Sequence, residues 1–276
     1  MTLLAGDESR PLMYKYRPDN ETTLRILRNK EMYFSFVADF NDPFDCRVTV
    51  NCKGTERDWT EYANSLPIPQ AIKCQTLSYL RSINFDPETI LSQYKKQNFQ
   101  TVVVYCLSEV PDNILMWSHY SNCHRGVCLG FSTEVEGNSL GIRMNDPTLR
   151  RIPAIVFGDF VPLTKVSYQS QMPPPYDLFT GSTEALKAFL RTKSPDWAYE
   201  RERRILLPYQ KPGKHIVTFA KQSLSEVILG CRTPREFRMQ VLDVISTEYM
   251  SAGHAVAVYQ ADLDDHAYSL RLNRIV

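Results

Sequence analysis

The sequence lacks several motifs by which common enzyme classes are identified. Only 11 of its 276 residues are glycine, and it contains neither a G-x-G-x-x-G loop after a strand nor a Walker-type phosphate loop. It also lacks the G-x-S-x-G motif that positions a serine nucleophile in α/β-hydrolases. The sequence therefore does not indicate a Rossmann-type, P-loop or α/β-hydrolase enzyme.

Strong net charge and long hydrophobic runs are also missing. The 32 basic and 31 acidic side chains leave a formal net charge of +1, so no global field attracts the chain to nucleic acid or to an anionic membrane. No run approaches the roughly 18 apolar residues of a membrane-spanning helix, and residues 1–10 contain no apolar core of a secretory signal. We therefore expect a cytoplasmic protein without a membrane partner.

The chain has seven cysteines, an odd number, and they are not closely spaced. This argues against a disulfide framework and for reduced thiols. Cys123 and Cys128, with His119 and His124 nearby, are the only cluster that resembles a zinc site. No second pair lies at a suitable distance, and a small buried thiol in a strand also explains Cys128. No metal site is therefore predicted.

Strand and helix patterns alternate along the chain without a regular βαβ order. This arrangement favours an α+β fold with mixed or antiparallel central sheets and flanking helices. A length of 276 residues fits one domain with insertions, since single domains reach about 250 residues. Residues 55–98 are mainly helical in pattern, with breaks at prolines, and are interpreted as a helical insertion. The predicted strands lie at residues 12–17, 32–36, 101–108, 126–131, 205–207, 226–230 and 255–259.

The first group of candidate binding residues is Tyr14, Lys15, Tyr16 and Arg17. On a strand the two cations share one face and the two tyrosines share the other. A cationic face beside an aromatic ring can hold a phosphate or a nucleotide. The same pattern also fits an exposed edge strand on which lysine prevents aggregation.

The second group lies in the loop of residues 40–45, F-N-D-P-F-D. Pro43 restricts its own backbone and that of Asp42, and Asn41 and Asp42 can bond to nearby backbone groups. A ligand-binding role and a rigid structural turn both fit this pattern. A metal-binding role for Asp42 and Asp45 is a further option.

The third group combines Ser108, at the end of a strand, with Trp117, His119 and Tyr120 on a predicted helix. Trp117 and Tyr120 are three residues apart and share a helix face. Together these side chains can stack on a base and bond to a ribose or a carboxamide. A partly buried aromatic stripe is the alternative interpretation.

The fourth group is Glu200, Glu202 and Arg204. In extended backbone these three side chains share one face. Two carboxylates beside an arginine can take different protonation or hydrogen-bonding roles. A solvated charged face is the alternative, although flanking aromatic and apolar residues favour a position at the edge of the core.

Five motifs in order, YKYR, FNDPFD, CLSE, MWSHY with HRGVCLGF, and WAYERERRI, closely resemble the domain of unknown function 2971 family of bacteria and phages. The resemblance extends from about residue 12 to about residue 230. The family name implies no activity.

A weaker resemblance is more informative about chemistry. Glu200-Arg201-Glu202, followed by an apolar strand, is similar to the E-x-E motif of ADP-ribosyltransferases. This resemblance implies NAD as substrate, Glu202 as the catalytic carboxylate and Glu200 as the residue that orients the acceptor. It also implies that Lys15 or Arg17 replaces the Arg or His of the superfamily's first strand, and that Ser108 is the serine of its central strand.

The leading hypothesis is therefore an NAD-dependent, ADP-ribosyltransferase-like enzyme, a toxin or phage-defence effector that modifies a protein or nucleic acid. The first alternative is a metal-dependent hydrolase or nuclease that uses Asp42, Asp45, His119 and Glu202 with Mg²⁺ or Mn²⁺. The second is a non-catalytic nucleotide-binding module in which Lys15 and Arg204 hold an anion. In the leading hypothesis the catalytic residues are Glu202, Glu200 and His119, and the NAD-binding residues are Tyr14, Lys15, Tyr16, Arg17, Asn41, Asp42, Ser108, Trp117, Tyr120 and Arg204.

Overall fold

The computed structural model describes residues 11–84, 86, 89, 102–149, 158–208 and 215–276. Its contacts divide the chain into two compact units. The first unit comprises Met1–Ser35, Val103–Val166 and Asp196–Val276, and the second comprises Phe36–Val102 and Ser167–Pro195. Helices and strands are mixed along the chain, which confirms the prediction of an α+β fold.

The first unit is built around a large mixed sheet. Among the described residues nine strands belong to it. The main path is, in order, β10 (Thr164–Lys165), β14 (Glu202–Pro208), β5 (Val102–Ser108), β1 (Leu12–Arg17), β6 (Val127–Ser132), β16 (Leu224–Leu229), β17 (Ala257–Leu263) and β18 (Leu270–Arg274). The short β3 (Ser35–Phe36) pairs with β5 outside this path. Strands β16 and β17 are parallel, whereas β1 is antiparallel to both β5 and β6.

The register at the centre of this sheet aligns a row of polar positions. Tyr14 on β1 lies opposite Ser108 on β5 and Gly130 on β6, and Gly130 lies opposite Glu226 on β16. Directly paired residues point to the same face of a sheet. Ser108, Tyr14 and Glu226 therefore share one face of the sheet. Lys15 follows Tyr14 on β1 and so points to the opposite face.

Asparagine side chains cap the start of two helices of the first unit. In α1 (Glu21–Asn29) the Asn20 side chain accepts a hydrogen bond from the Thr23 amide, which satisfies one of the free N–H groups of the first turn. Asn113 caps α4 (Ile114–Tyr120) in the same way. Helix α6 (Arg235–Ile245) packs near α1 and continues into a π-turn at Ser246–Met250.

The described part of the first unit also contains two smaller sheets. Strand β2 (Glu31–Tyr33) pairs with β15 (Ile216–Thr218). Strand β8 (Ser139–Arg143) lies between β7 (Glu134–Glu136) and β9 (Phe160–Pro162), and both neighbours are antiparallel to it.

The second unit is small and mainly helical. The α-helices among its described residues are α2 (Glu56–Ser65), α3 (Gln70–Ser82) and α5 (Thr183–Leu190). Its short strands form two parallel pairs, β4 (Val50–Asn51) with β12 (Tyr176–Asp177), and β11 (Ser167–Tyr168) with β13 (Thr192–Lys193). Helices α2 and α3 lie within the predicted insertion of residues 55–98, of which 85, 87–88 and 90–98 lie outside the described residues.

A core of four buried side chains joins the two stretches of the second unit. Trp59 of α2 and Leu80 of α3 pack with Cys52 and with Leu178, which follows β12. This shared core explains why residues 167–195 group with the helical stretch rather than with their sequence neighbours. No described helix has the length and apolar character needed to cross a membrane.

Candidate functional site

Three side chains on two neighbouring strands, Cys106 on β5 and Glu202 and Arg204 on β14, form a polar cluster in the first unit, and Lys15 contacts its backbone. The Lys15 ammonium on β1 donates a hydrogen bond to the Cys106 carbonyl oxygen on β5 (2.8 Å). The Cys106 thiol bonds to the Glu202 carboxylate, and burial raises its pKa well above the usual value. Arg204 donates from Nε to Glu202 Oε1 (2.7 Å) and from a terminal nitrogen to Oε2 (3.0 Å). Arg204 thereby holds the catalytic candidate Glu202 in one orientation.

Glu200 reaches the same region by a different backbone path. It ends a 3-10 helix, Pro195–Glu200, and Arg201 then takes a left-handed conformation with φ 46° before β14 begins at Glu202. The expectation that Glu200 shares an extended strand with Glu202 and Arg204 is therefore wrong, although Glu202 and Arg204 do share a strand. A left-handed non-glycine residue carries strain that is found most often at functional sites.

Glu200 is held by two residues that the sequence had singled out. Its carboxylate accepts a 2.6 Å hydrogen bond from the Tyr120 hydroxyl on α4. The Ser108 hydroxyl donates to the Glu200 backbone carbonyl oxygen (2.7 Å) and accepts from the Val110 amide (3.2 Å). Ser108 thus fixes the turn that carries Glu200, and its hydroxyl hydrogen is used in a bond within the protein.

Lys15 and Arg17 carry positive charge without an ion pair to any carboxylate that the structure describes. Both are half-buried, and burial lowers the pKa of each. The Lys15 ammonium lies over the Tyr105 ring, 4.6 Å from its centroid, and Arg17 Nε is buried with no hydrogen-bond partner among the described residues. Two desolvated cations two residues apart repel each other, so an anion bound between them would be stabilised.

Tyr16 and Trp117, two predicted ligand residues, belong instead to the core. Trp117 is fully buried, and its indole N–H donates to the Pro111 carbonyl oxygen (2.8 Å). Tyr16 packs edge-on against it at 5.3 Å and donates its hydroxyl to the Val110 carbonyl oxygen. Their polar atoms are satisfied internally, as is usual for buried Tyr and Trp, so their contribution is to fix α4 on the sheet.

His119 lies at the surface end of α4. Its ring is 6.3 Å from those of Tyr120 and Tyr199, and it is exposed. Tyr199 in turn lies 6.0 Å from Trp197. A group of aromatic rings, of which His119 is exposed and the others are half-buried, therefore borders the turn that carries Glu200.

Asn41 and Asp42 belong to the second unit, whereas the candidate residues on β1, β5 and β14 belong to the first. Asp42 accepts a hydrogen bond from the Phe44 amide (2.9 Å) and thus stabilises its own turn. Asp45 is buried and forms an ion pair with Lys193 at 3.4 Å. A pocket of about 460 Å³ in this unit is lined by Asp42, Asp45 and neighbouring residues.

In the described ranges no three acidic, histidine or cysteine side chains lie together in a way that could hold a metal ion. Cys128 is fully buried opposite Tyr16, whereas Cys123 is exposed. The two cysteines of the zinc-like pattern therefore occupy different environments.

Comparison with protein families gives one match. Residues 116–205 match the family model for proteins of unknown function DUF2971. No curated protein and no solved structure gave a match. The match is shorter than the resemblance noted from residue 12 to residue 230.

The DUF2971 match contains one side of the polar cluster and not the other. It includes α4 from Met116 to Tyr120, the 3-10 turn with Glu200, and β14 up to Ile205, with Glu202 and Arg204. Lys15 on β1 and Cys106 on β5 precede it. The acidic Glu226 follows it.

Sequence reasoning missed two residues of this region, Cys106 and Glu226. Cys106 begins the motif C-L-S-E, in which a thiol lies close to a serine and a glutamate. Glu226 interrupts the apolar strand L-S-E-V-I-L, and an isolated acid in a buried strand is a signal that could have been used. Neither signal identifies the partner, which only the sheet register supplies.

Proposed function

We propose that the chain is an ADP-ribosyltransferase-like enzyme that uses NAD, with Glu202 as its catalytic carboxylate. The observation that carries this proposal is the pair formed by Glu200 and Glu202. Each is only 4% exposed, and a different side chain binds each carboxylate, Tyr120 for Glu200 and Arg204 for Glu202. Two acids fixed in separate environments are suited to separate chemical roles.

Glu202 would act by electrostatic stabilisation. In ADP-ribosyl transfer the bond between the ribose carbon and the nicotinamide nitrogen breaks, and nicotinamide leaves with the electron pair. Positive charge then develops on the ribose, and a carboxylate already held in position stabilises it without reorganisation. Arg204 and the Cys106 thiol supply the hydrogen bonds that hold Glu202 in place.

Glu200 would serve the acceptor. The acceptor nucleophile forms the new bond to the ribose carbon and releases a proton, which a nearby carboxylate can take. Glu200 sits on a turn bordered by the exposed ring of His119 and the half-buried ring of Tyr199. His119 at this rim is suited to contact a protein or nucleic-acid acceptor, as expected for a toxin or phage-defence effector.

Lys15 and Arg17 would bind the phosphates of NAD. They are half-buried and form no ion pair with a described carboxylate. Phosphate oxygens accept charge-assisted hydrogen bonds from both types of cation.

The test is NAD turnover by matched glutamate variants. Wild type, Glu202→Gln and Glu236→Gln are incubated with NAD and cell lysate, and free nicotinamide and labelled acceptor are measured. Glu236 is an exposed glutamate on α6 and controls for the loss of one carboxylate. Loss of an electrostatic catalytic group lowers rates about 10²–10³-fold, so Glu202→Gln should be nearly inactive and Glu236→Gln active. Equal turnover by wild type and Glu202→Gln would end the proposal.

A non-catalytic nucleotide-binding module is the second candidate. The strong burial of Glu202 and the internal use of the Ser108 donor favour it. In this case wild type binds NAD or another nucleotide, Lys15→Met abolishes binding, and no nicotinamide is released. Titration calorimetry beside the turnover assay separates the two candidates.

A further inference from the structure

Glu226 is a half-buried carboxylate in the middle of the large sheet that the proposed reaction does not use. It forms no ion pair with a basic side chain in the part of the chain that the structure describes. Its hydrogen-bond partner is the Tyr14 hydroxyl, and burial raises its pKa above the usual 4.5. A desolvated carboxylate without a counter-ion is costly in a folded protein, which suggests that its charge has a use.

A β-bulge aims this side chain. The register between β16 and β6 shifts between Leu224 and Glu226, so that Leu224 faces Phe131 and Glu226 faces Gly130. Without the extra residue, Ser225 would occupy the position opposite Gly130. Bulges of this kind redirect a side chain and are frequent beside functional sites.

Gly130 leaves the space that Glu226 fills. A Cβ atom at this glycine would lie 2.5 Å from Glu226 Cγ, far inside van der Waals contact. The Glu226 side chain therefore extends across β6 toward Tyr14 on β1, and not straight out from its own strand. Glu226 lies on the face that also carries Ser108, and its Cα is three strand spacings, about 14 Å, from that of Ser108.

Aromatic rings accompany this carboxylate. Tyr14 and Tyr259 are both half-buried and pack against the core cluster that contains Trp117 and Ile228. Glu226, Cys128 and Tyr259 all lie near enough to Tyr14 to raise its pKa, and Glu226 is the only carboxylate of these three.

We propose that Glu226 and Tyr14 form a subsite for an organic cation. A carboxylate next to tyrosine rings attracts such a group by charge and by the negative faces of the rings. A phosphate or carboxylate ligand would be repelled at the same place. Within the proposed function two sources fit this chemistry, the pyridinium ring of NAD and a guanidinium or ammonium group of the acceptor, although the subsite does not depend on catalysis.

The experiment measures binding of two small cations by titration calorimetry. The probes are 1-methylnicotinamide for the pyridinium source and methylguanidinium for the acceptor source, with neutral nicotinamide as the uncharged comparison. We expect wild type to bind at least one cation, and Glu226→Gln to bind it about tenfold or more weakly, since a charge-assisted bond is lost. Glu236→Gln removes an exposed carboxylate elsewhere and should leave binding unchanged. Failure of both cations to bind wild type, or equal binding by Glu226→Gln, would overturn the proposal.

A second variant, Tyr14→Phe, tests the subsite through the pH dependence of cation binding, which a purely structural role of Tyr14 would not change. The Tyr14 hydrogen bond lowers the pKa of Glu226 against the larger effect of burial. In Tyr14→Phe that bond is lost, so cation binding should disappear at a higher pH than in wild type as the solution is acidified. An unchanged pH profile would count against the subsite. Cation binding without any nicotinamide release from NAD would support the subsite and refute the proposed function, so the two can fail separately.

Discussion

Replacing Arg204 with methionine would leave the Glu202 carboxylate buried without its cation. Arg204 is completely buried and Glu202 is 4% exposed, and two hydrogen bonds of 2.7 and 3.0 Å join them. Removing one member of such a pair costs about 3–5 kcal/mol, because the remaining charge stays desolvated. Since domains of this kind have a total stability of about 5–15 kcal/mol, the variant should lose a large share of it.

The double variant Glu202→Met, Arg204→Met is the control. With both charges gone, apolar side chains of similar length fill the site, and such replacements are often neutral or stabilising. We therefore expect the double variant to be clearly more stable than Arg204→Met alone. The assay is the free energy of unfolding from urea titration, with the slope of the transition checked for constancy. If Arg204→Met lost less than about 1 kcal/mol, the level of an exposed ion pair, the buried pair would not be the dominant local interaction.

Three further predictions concern the centre of the sheet. Burial raises the pKa of Glu226 in the folded protein. The stability gained from its protonation is therefore complete below pH 4.5 and is lost as the pH rises through the raised pKa. Urea titrations at several pH values should show this loss in wild type and not in Glu226→Gln. Burial lowers the pKa of Lys15 below 10.5, so wild-type stability should rise as pH increases from the lowered value to 10.5, and thermal melts of Lys15→Met should lack that rise. Gly130→Ala places a methyl group 2.5 Å from Glu226 Cγ and should cost about 1–3 kcal/mol in urea titrations, as overpacking does, while also weakening binding of the cationic probes.

Part of the fold could be predicted from local pattern alone. The alternation of Tyr14, Lys15, Tyr16 and Arg17 indicated a strand, and β1 spans Leu12–Arg17. Strands β5 and β6 also lie where continuous apolar patterns indicated them. The period of two in a strand is a property of the backbone, so these assignments need no knowledge of neighbours.

The candidate site was only partly accessible in this way. The Glu-Arg-Glu triplet was recognised, but the extended conformation expected for Glu200 fails because Arg201 is left-handed. Trp117 was a reasonable stacking residue by type, yet burial places it in the core. Tertiary packing, and not residue type, decides whether an aromatic side chain is available to a ligand.

The sequence by itself determined the α+β class, the central strands and the residue types that can carry charge or bind an aromatic ligand, because these follow from backbone periodicity and side-chain chemistry. Only the tertiary structure decided which of them meet. The pairing of Glu202 with Arg204 lies within one strand, but the contacts of Lys15 with Cys106, Tyr120 with Glu200 and Tyr14 with Glu226 join residues 80 to more than 200 positions apart. Such contacts depend on strand order and register across the sheet, which local sequence does not encode.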